Sequence, residues 1–116
     1  MTNNYAPIYP HDPLIQIFEN IYLLRGSIKL GFGFSMNRNM IILKQDGELT
    51  LINAVRISEP ELEKLNNLGQ IKHVIRLGDF HGLDDQFYID HYQATLWSQS
   101  CHVNYPNLVP HQIIQA

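Results

Sequence analysis

Short apolar runs alternate with turn residues along the first half of the chain. Runs rich in isoleucine and leucine predict β-strands over 21–27, 39–44 and 48–53. Glycine at 26 is expected to end the first strand, because it weakens strand structure and favours loops. The Asp-Gly pair at 46–47 supplies the positive φ angles of a tight hairpin turn between the second and third strands.

A helix is predicted next, beginning after Ser58. Ser58 and Glu61 have the spacing of a capping box, in which both side chains accept hydrogen bonds from backbone N–H groups at the helix start. Gly69 stands where a helix commonly ends. Leucines at helical spacing form the expected buried stripe: Leu62, Leu65 and Leu68.

The second half of the chain alternates between strand and helix patterns. A strand is predicted over 71–77, a helix over 84–93 and a short strand over 94–98. Right-handed crossovers between such elements make neighbouring strands parallel. The fold class predicted is α/β, an α+β-like mixed sheet with an antiparallel hairpin followed by β-α-β-α-β.

Composition predicts one soluble globular domain. The chain has 116 residues, of which 45% are apolar and 16% charged, and no apolar run reaches membrane-spanning length. A net charge of −3 without a basic cluster argues against nucleic acid as a partner. One cysteine excludes an internal disulfide, and the polar N-terminal stretch lacks signal-peptide features, so a cytoplasmic location is expected.

The domain plan has three parts. Residues 1–19 contain three prolines and are expected to form an extended lead-in, because helices do not fit between those prolines. Residues 20–98 carry all the predicted elements. Residues 99–116 show no clear period and are expected to form an irregular tail.

The loop after the strand at 71–77 holds the densest polar chemistry in the chain. It contains Asp79, His81, Asp84 and Asp85, next to two glycines. Loops that leave the end of a buried strand and enter a helix commonly carry ligand sites in α/β folds. These four residues are therefore candidate metal ligands.

The element order, together with one strand and the His-Gly loop after it, resembles the N-terminal half of the metallo-β-lactamase fold superfamily. The resemblance covers roughly 20–98, which would then be a metallo-β-lactamase-like half-domain, half of an αββα sandwich. The strand that carries it reads Leu68-Gly69-Gln70-Ile71-Lys72-His73-Val74-Ile75.

In that superfamily the corresponding loop carries an HxHxDH motif, which binds a pair of metal ions, usually zinc, and activates a water for hydrolysis. With His81 as the second histidine, the first falls on Asp79, the aspartate on Leu83 and the last histidine on Asp84. The motif is therefore degenerate here. The resemblance implies zinc or another divalent metal as the cofactor, although one imidazole with carboxylates suits zinc less well than a histidine-rich set.

Structural explanations compete with the metal site. His81 could brace the turn before the helix, and Asp84 and Asp85 in a helix's first turn are stabilising without any ligand, by about 0.3 to 1 kcal/mol each. Asp79 is harder to explain structurally, because it directly follows a buried strand. His73 is expected to be a hydrogen-bonded strand residue rather than a ligand.

Three functions remain open from the sequence. The first is a metallo-β-lactamase-like protein with a degenerate or lost metal site, a truncated member or a non-catalytic binding or interaction module. The second is a metal-dependent hydrolase that completes its site through dimerisation or through tail histidines, His102 and His111. The third is a homodimer with no chemistry, formed through an uncovered sheet face.

Overall fold

The computed structural model describes residues 5–77, 83–98 and 112–113. In chain order the elements are β1 (Ile15–Phe18), β2 (Ile21–Gly31), β3 (Phe34–Gln45), β4 (Glu48–Ile52), α1 (Glu59–Leu68), β5 (Gln70–Arg76), α2 (Asp85–Tyr92), β6 (Thr95–Ser98) and β7 (Gln112–Ile113). The strands form one sheet in sequence order. Pairing is antiparallel from β1 to β4 and parallel from β4 to β7. The predicted mixed sheet is confirmed.

The hairpin between β3 and β4 is also confirmed. Gln45 pairs with Glu48, and the two residues between them, Asp46 and Gly47, have φ angles of 53° and 79°. Two positive φ angles in a two-residue loop match the right-handed twist of the flanking strands. This turn is local, so the sequence specifies it directly.

The prediction that Gly26 ends a strand is wrong. Strand β2 continues through Gly26 to Gly31, and β3 begins at Phe34 rather than at 39. A Cβ atom at Gly26 would lie 3.0 Å from the Arg38 carbonyl oxygen and 3.2 Å from Val55 Cγ1. Glycine therefore serves close packing inside the strand, a use that local sequence does not distinguish from a strand end.

The capping box predicted for α1 is also wrong, although the helix begins where expected. Ser58 is the N-cap but makes no side-chain cap hydrogen bond. Glu61 Oε2 instead accepts a hydrogen bond from the Leu14 backbone N–H at 2.9 Å. Its other oxygen accepts one from Lys64. The lead-in supplies a donor from 47 residues away, which the spacing of Ser58 and Glu61 does not reveal.

Both helices pack on the same face of the sheet. Leu65 of α1 and Tyr88 of α2 belong to the same hydrophobic core cluster. On this face, residues that pair directly across adjacent strands form a row that lies in or against the core. The row runs across five strands: Tyr22, Ile42, Leu51, Val74 and Leu96. Within the described ranges, neither helix is long and apolar enough to cross a membrane.

The opposite side of the sheet, here called the open face, carries a second apolar row. Directly paired residues in adjacent strands point to the same side, and alternate residues point to opposite sides. Ile41 and Leu43 are 36% and 37% exposed although they lie in the middle of the sheet. The row across six strands is Ile15, Leu23, Ile41, Ile52, Ile75 and Trp97.

The two ends of the chain contribute strands to this sheet. Strand β1 lies inside the predicted extended lead-in, and Gln112–Ile113 of the predicted irregular tail form β7 beside β6. Residues 1–4, 99–111 and 114–116 lie outside the described residues. The tail histidines at 102 and 111 are among them.

Gly69 offers a direct test of the packing between α1 and the hairpin. A Cβ atom there would lie 2.6 Å from the Gly47 carbonyl oxygen and 3.3 Å from Leu49 Cδ2. We expect Gly69→Ala to lower the free energy of unfolding by about 1–3 kcal/mol, the usual cost of overpacking. Urea unfolding followed by circular dichroism measures it.

The control is Asn67→Ala, an exposed position on the neighbouring helix. It should leave stability unchanged or raise it slightly, because alanine favours helix. Equal stability of Gly69→Ala and the wild type would contradict the close approach.

Candidate functional site

The predicted site loop spans the junction between β5 and α2. Asp79 and His81 lie outside the described residues. Asp84 is the N-cap residue of α2, and Asp85 is its first residue. The structure therefore brings two of the four predicted metal ligands together, at the carboxyl end of β5.

Asp84 is a buried ion-pair partner. Its side chain has no solvent exposure, and Oδ2 lies 3.1 Å from Arg38 Nη1. The same oxygen accepts a hydrogen bond from the Arg56 backbone N–H at 2.8 Å. Arg38 in turn donates from Nε to the Ser27 carbonyl oxygen. Asp84 thus joins β3, the segment after β4 and the start of α2.

Asp85 is also buried, with a weaker charge contact. Its Oδ2 lies 3.9 Å from Arg76 Nε, and neither side chain is more than 2% exposed. Arg76 donates from Nη2 to Ser98 Oγ at 3.0 Å. Within the described part of the chain, neither Asp85 carboxylate oxygen accepts a hydrogen bond. Asp85 is therefore poorly compensated as an anion.

Burial dominates the acidity of both carboxyl groups. Desolvation raises the pKa of Asp85 to about 7, although the nearby Arg76 guanidinium opposes the rise and the Asp84 charge adds to it. Desolvation also raises the pKa of Asp84, against the hydrogen bonds from Arg56 and Arg38. A carboxyl group that loses water without gaining donors holds its proton more tightly.

A third arginine lies beside this pair of aspartates. The Arg56 guanidinium stacks over the Phe87 ring at 4.5 Å and over Tyr5 at 5.6 Å. Its Nη1 donates to the Ala6 carbonyl oxygen at 2.6 Å. The Arg56 charge also acts on Asp84, so three guanidiniums oppose two carboxylates here, and the formal charge of these five groups is +1 when both carboxylates are ionised.

Sequence reasoning missed these arginines. Arg38 occupies the same side of β3 as the buried Met40 and Ile42, and Arg76 is buried in β5 two residues after Val74. A charged residue on the same side of a strand as buried apolar residues needs a charged or hydrogen-bonding partner, since isolated buried charges are costly. For Arg76, inside the strand predicted over 71–77, this alternation was the signal in the sequence; Arg38 lies before the strand predicted over 39–44, so the same signal was hidden.

The described residues do not fit a metal site by themselves. No cluster of three or more histidine, cysteine or acidic side chains with metal-binding geometry occurs within residues 5–77, 83–98 and 112–113. A divalent cation beside Asp84 and Asp85 would also raise a local charge that is already positive. Because Asp79 and His81 are not described, the four-ligand site remains a prediction.

The described histidines have structural contacts. His73 lies on the open face, where its Nδ1 accepts a hydrogen bond from Trp97 Nε1 at 3.2 Å. His91 stacks on Phe87 at 4.3 Å. His11 Nε2 accepts from the Ser58 backbone N–H. The expectation that His73 is a hydrogen-bonded strand residue is confirmed.

A cleft of about 640 Å³ lies elsewhere, between the lead-in and the strands β2 and β3. Neither described candidate ligand, Asp84 nor Asp85, lines it. Its polar lining includes Asp12, Arg25 and Asn39. The two buried aspartates therefore do not open onto this cleft.

The raised pKa of Asp85 predicts a stability that falls as pH rises. The folded state holds a proton that the unfolded state releases near pH 4, so stability decreases between about pH 4 and 7 and then levels off, by at most about 4 kcal/mol for this group. Asp85→Asn mimics the protonated form and should flatten the profile. Urea unfolding at pH 5, 6, 7 and 8 measures this.

Asp90→Asn on the same helix is the matched control, because Asp90 is exposed. It should keep the wild-type slope. Profiles for Asp85→Asn and the wild type that run parallel between pH 5 and 8 would show that Asp85 titrates normally.

Comparison with known proteins identifies the fold. The sequence matches no protein-family model and no curated protein. Among solved structures, VMB-1 aligns with a TM-score of 0.66 at 11% identity, over 96% of this chain and 54% of its own. A metallo-β-lactamase from Erythrobacter litoralis aligns with a TM-score of 0.60 at 8% identity, over 92% and 49%.

The DIM-1 metallo-β-lactamase aligns with a TM-score of 0.56 at 12% identity, over 78% of this chain and 43% of its own. The chain thus spans about half the length of the solved structures that it matches. Identities this low show the fold alone. The chain has a partial metallo-β-lactamase-type fold.

Proposed function

We propose that this protein is a non-catalytic binding module with a partial metallo-β-lactamase-type fold and a degenerate metal site. The observation that carries the proposal is the Arg38–Asp84 ion pair, in which the aspartate side chain has no solvent exposure. Asp84 stands where the motif of the superfamily has its final histidine. Its role here is to hold α2 against β3.

The burial of both aspartates supports a structural role. A hydrolytic metal site keeps one coordination position open to water or substrate. The side chains of Asp84 and Asp85 have no exposed surface, and each faces a guanidinium. Asp84 is held by its ion pair and Asp85 keeps its proton up to about its raised pKa of 7, so neither carboxyl group requires a bound cation.

The binding surface in this proposal is the open face. Ile41 and Leu43 are exposed at its centre, and Ile15 is 45% exposed near its edge. Contiguous apolar surface of this kind typically marks an interaction site on a protein. The fold therefore presents a binding face on one side while the helices cover the other.

A metal-dependent hydrolase is the second candidate, with Asp79, His81, Asp84 and Asp85 as ligands. One observation favours it. Asp84 Oδ1 and both Asp85 oxygens have no hydrogen-bond donor among the described residues, and free carboxylate oxygens are good ligands for hard cations. A bound divalent metal would lower the pKa of a water molecule that it coordinates.

Metal content distinguishes the two candidates. Purified protein is incubated with zinc, manganese or iron(II), passed through a desalting column and analysed for metal. The binding module should retain less than about 0.2 metal per chain, because degenerate ligand sets bind weakly. The control His81→Ala should give the same background.

Retention of one or two metals per chain, lost in His81→Ala, would overturn the proposal in favour of the hydrolase. Metal that is retained equally by both proteins would place the site away from this loop.

Breaking the buried ion pair should lower the free energy of unfolding more than breaking a surface pair of similar geometry. Arg38→Met leaves Asp84 buried without its counter-charge, which typically costs about 3–5 kcal/mol. Lys64→Met is the matched control, since Lys64 forms a 2.8 Å pair with Glu61 but its side chain is 59% exposed. The control should cost less than about 1 kcal/mol.

Urea unfolding at pH 7.5 measures both variants. Adding Asp84→Asn to Arg38→Met should recover part of the loss, because the uncompensated charge is removed. Equal small losses for Arg38→Met and Lys64→Met would contradict the anchoring role.

A further inference from the structure

The open face continues beyond its fully apolar row. A second row, directly adjacent, is also free of formally charged side chains. Its polar members include His73, which is hydrogen-bonded to Trp97 on the same face. The second row runs across the same six strands: Phe18, Ile21, Leu43, Thr50, His73 and Thr95.

The charged residues lie beyond these two rows along the strand direction, basic at one end of the face and acidic at the other, where Lys72 in the β5 bulge offsets part of the acidic charge. Arg25 and Lys29 follow Leu23 at alternate positions of β2, and both are exposed. Glu48 precedes Thr50 on β4 at the other end. Glu19 and Asp46 also lie in exposed turns at that end. Asp12, bonded through its backbone to Arg25, offsets part of the basic charge.

This distribution suits contact with an identical face. A two-fold axis parallel to the rows turns the strands of one copy antiparallel to those of the other. The basic end of each face then lies over the acidic end of its partner, and uncharged rows meet in the centre. An isologous interface requires such self-complementarity.

The dimensions also suit a dimer. Six paired strands about 4.8 Å apart, and four rows about 6.7 Å apart including the charged ends, give a face of roughly 750 Å². A standard stable interface buries about 800 Å² per partner. Two sheets pack face to face about 10 Å apart when their inner side chains interdigitate.

We propose that the open face binds a second copy of this chain, as a two-fold dimer with the two sheets face to face. The inference rests on the proposed binding function and names its partner. The apolar rows supply the buried area, while the charged ends set the antiparallel orientation. Each copy keeps its helices on the outside.

Sedimentation velocity of the wild-type chain from 1 to 100 μM tests the proposal. The expected species is a dimer, with dissociation at the low end of the range. Ile41→Glu places a charge in the centre of each face, and we expect it to weaken the dimer at least 100-fold. Ile8→Glu is the matched control, because Ile8 is 43% exposed and lies near Ser58, away from the two rows.

Circular dichroism confirms that Ile41→Glu remains folded, and Ile41→Thr, which preserves a β-branched side chain, serves as a second variant. A folded wild-type monomer at 100 μM would overturn the proposal. That result together with binding of a hydrophobic dye would mean that another segment or a different protein covers the face. A dimer unchanged in both Ile41 variants would place the interface elsewhere.

The orientation has its own test. Arg25→Glu should weaken the dimer several-fold at 50 mM salt, and adding Glu19→Arg should restore part of the affinity, because the axis places β2 of one copy over β2 of the other and Glu19 lies in the exposed turn before β2. Loss without any restoration would overturn the antiparallel arrangement.

The metal measurement is independent of all these results: a metal-free monomer refutes the dimer alone, and a metal-loaded dimer refutes the non-catalytic function alone.

Discussion

The buried pair of Arg38 and Asp84 is the interaction on which the arrangement of this fold depends. Asp84 Oδ2 accepts hydrogen bonds from a guanidinium on β3 and from the Arg56 backbone N–H. It therefore fixes the start of α2 against two segments that are distant in sequence. Removing one member leaves a charge that water cannot reach, so each side chain keeps the other from becoming an uncompensated buried charge between the helix and the strand.

Local features of this fold were predictable from the sequence, whereas features set by distant contacts were not. The Asp46-Gly47 turn follows from its own two residues. Glycine at 26 was misinterpreted because its reason lies in Val55, which packs against it. The capping role assigned to Glu61 failed because Leu14 offers a competing backbone donor. Such partners become visible only when the chain is folded.

The candidate site shows the same division. The positions of Asp84 and Asp85 at the start of α2 were predicted, since acidic residues after a strand and before a helix are a local pattern. The counter-charge on Asp84 comes from Arg38, 46 residues earlier. Arg38 lies just before the strand predicted over 39–44, so its burial in β3 was not visible in the sequence. The chemistry of the loop therefore depends on arginines that no motif contains.

One measurement tests the central claim most directly: the free energy of unfolding in 100 μM zinc compared with a chelator. A protein that binds metal only when folded gains about 2.7 kcal/mol when the metal exceeds its dissociation constant 100-fold. If Asp84 and Asp85 are held by arginines in a non-catalytic module, the two values should agree within error. A gain of 2 kcal/mol or more in zinc, abolished by His81→Ala, would contradict the account.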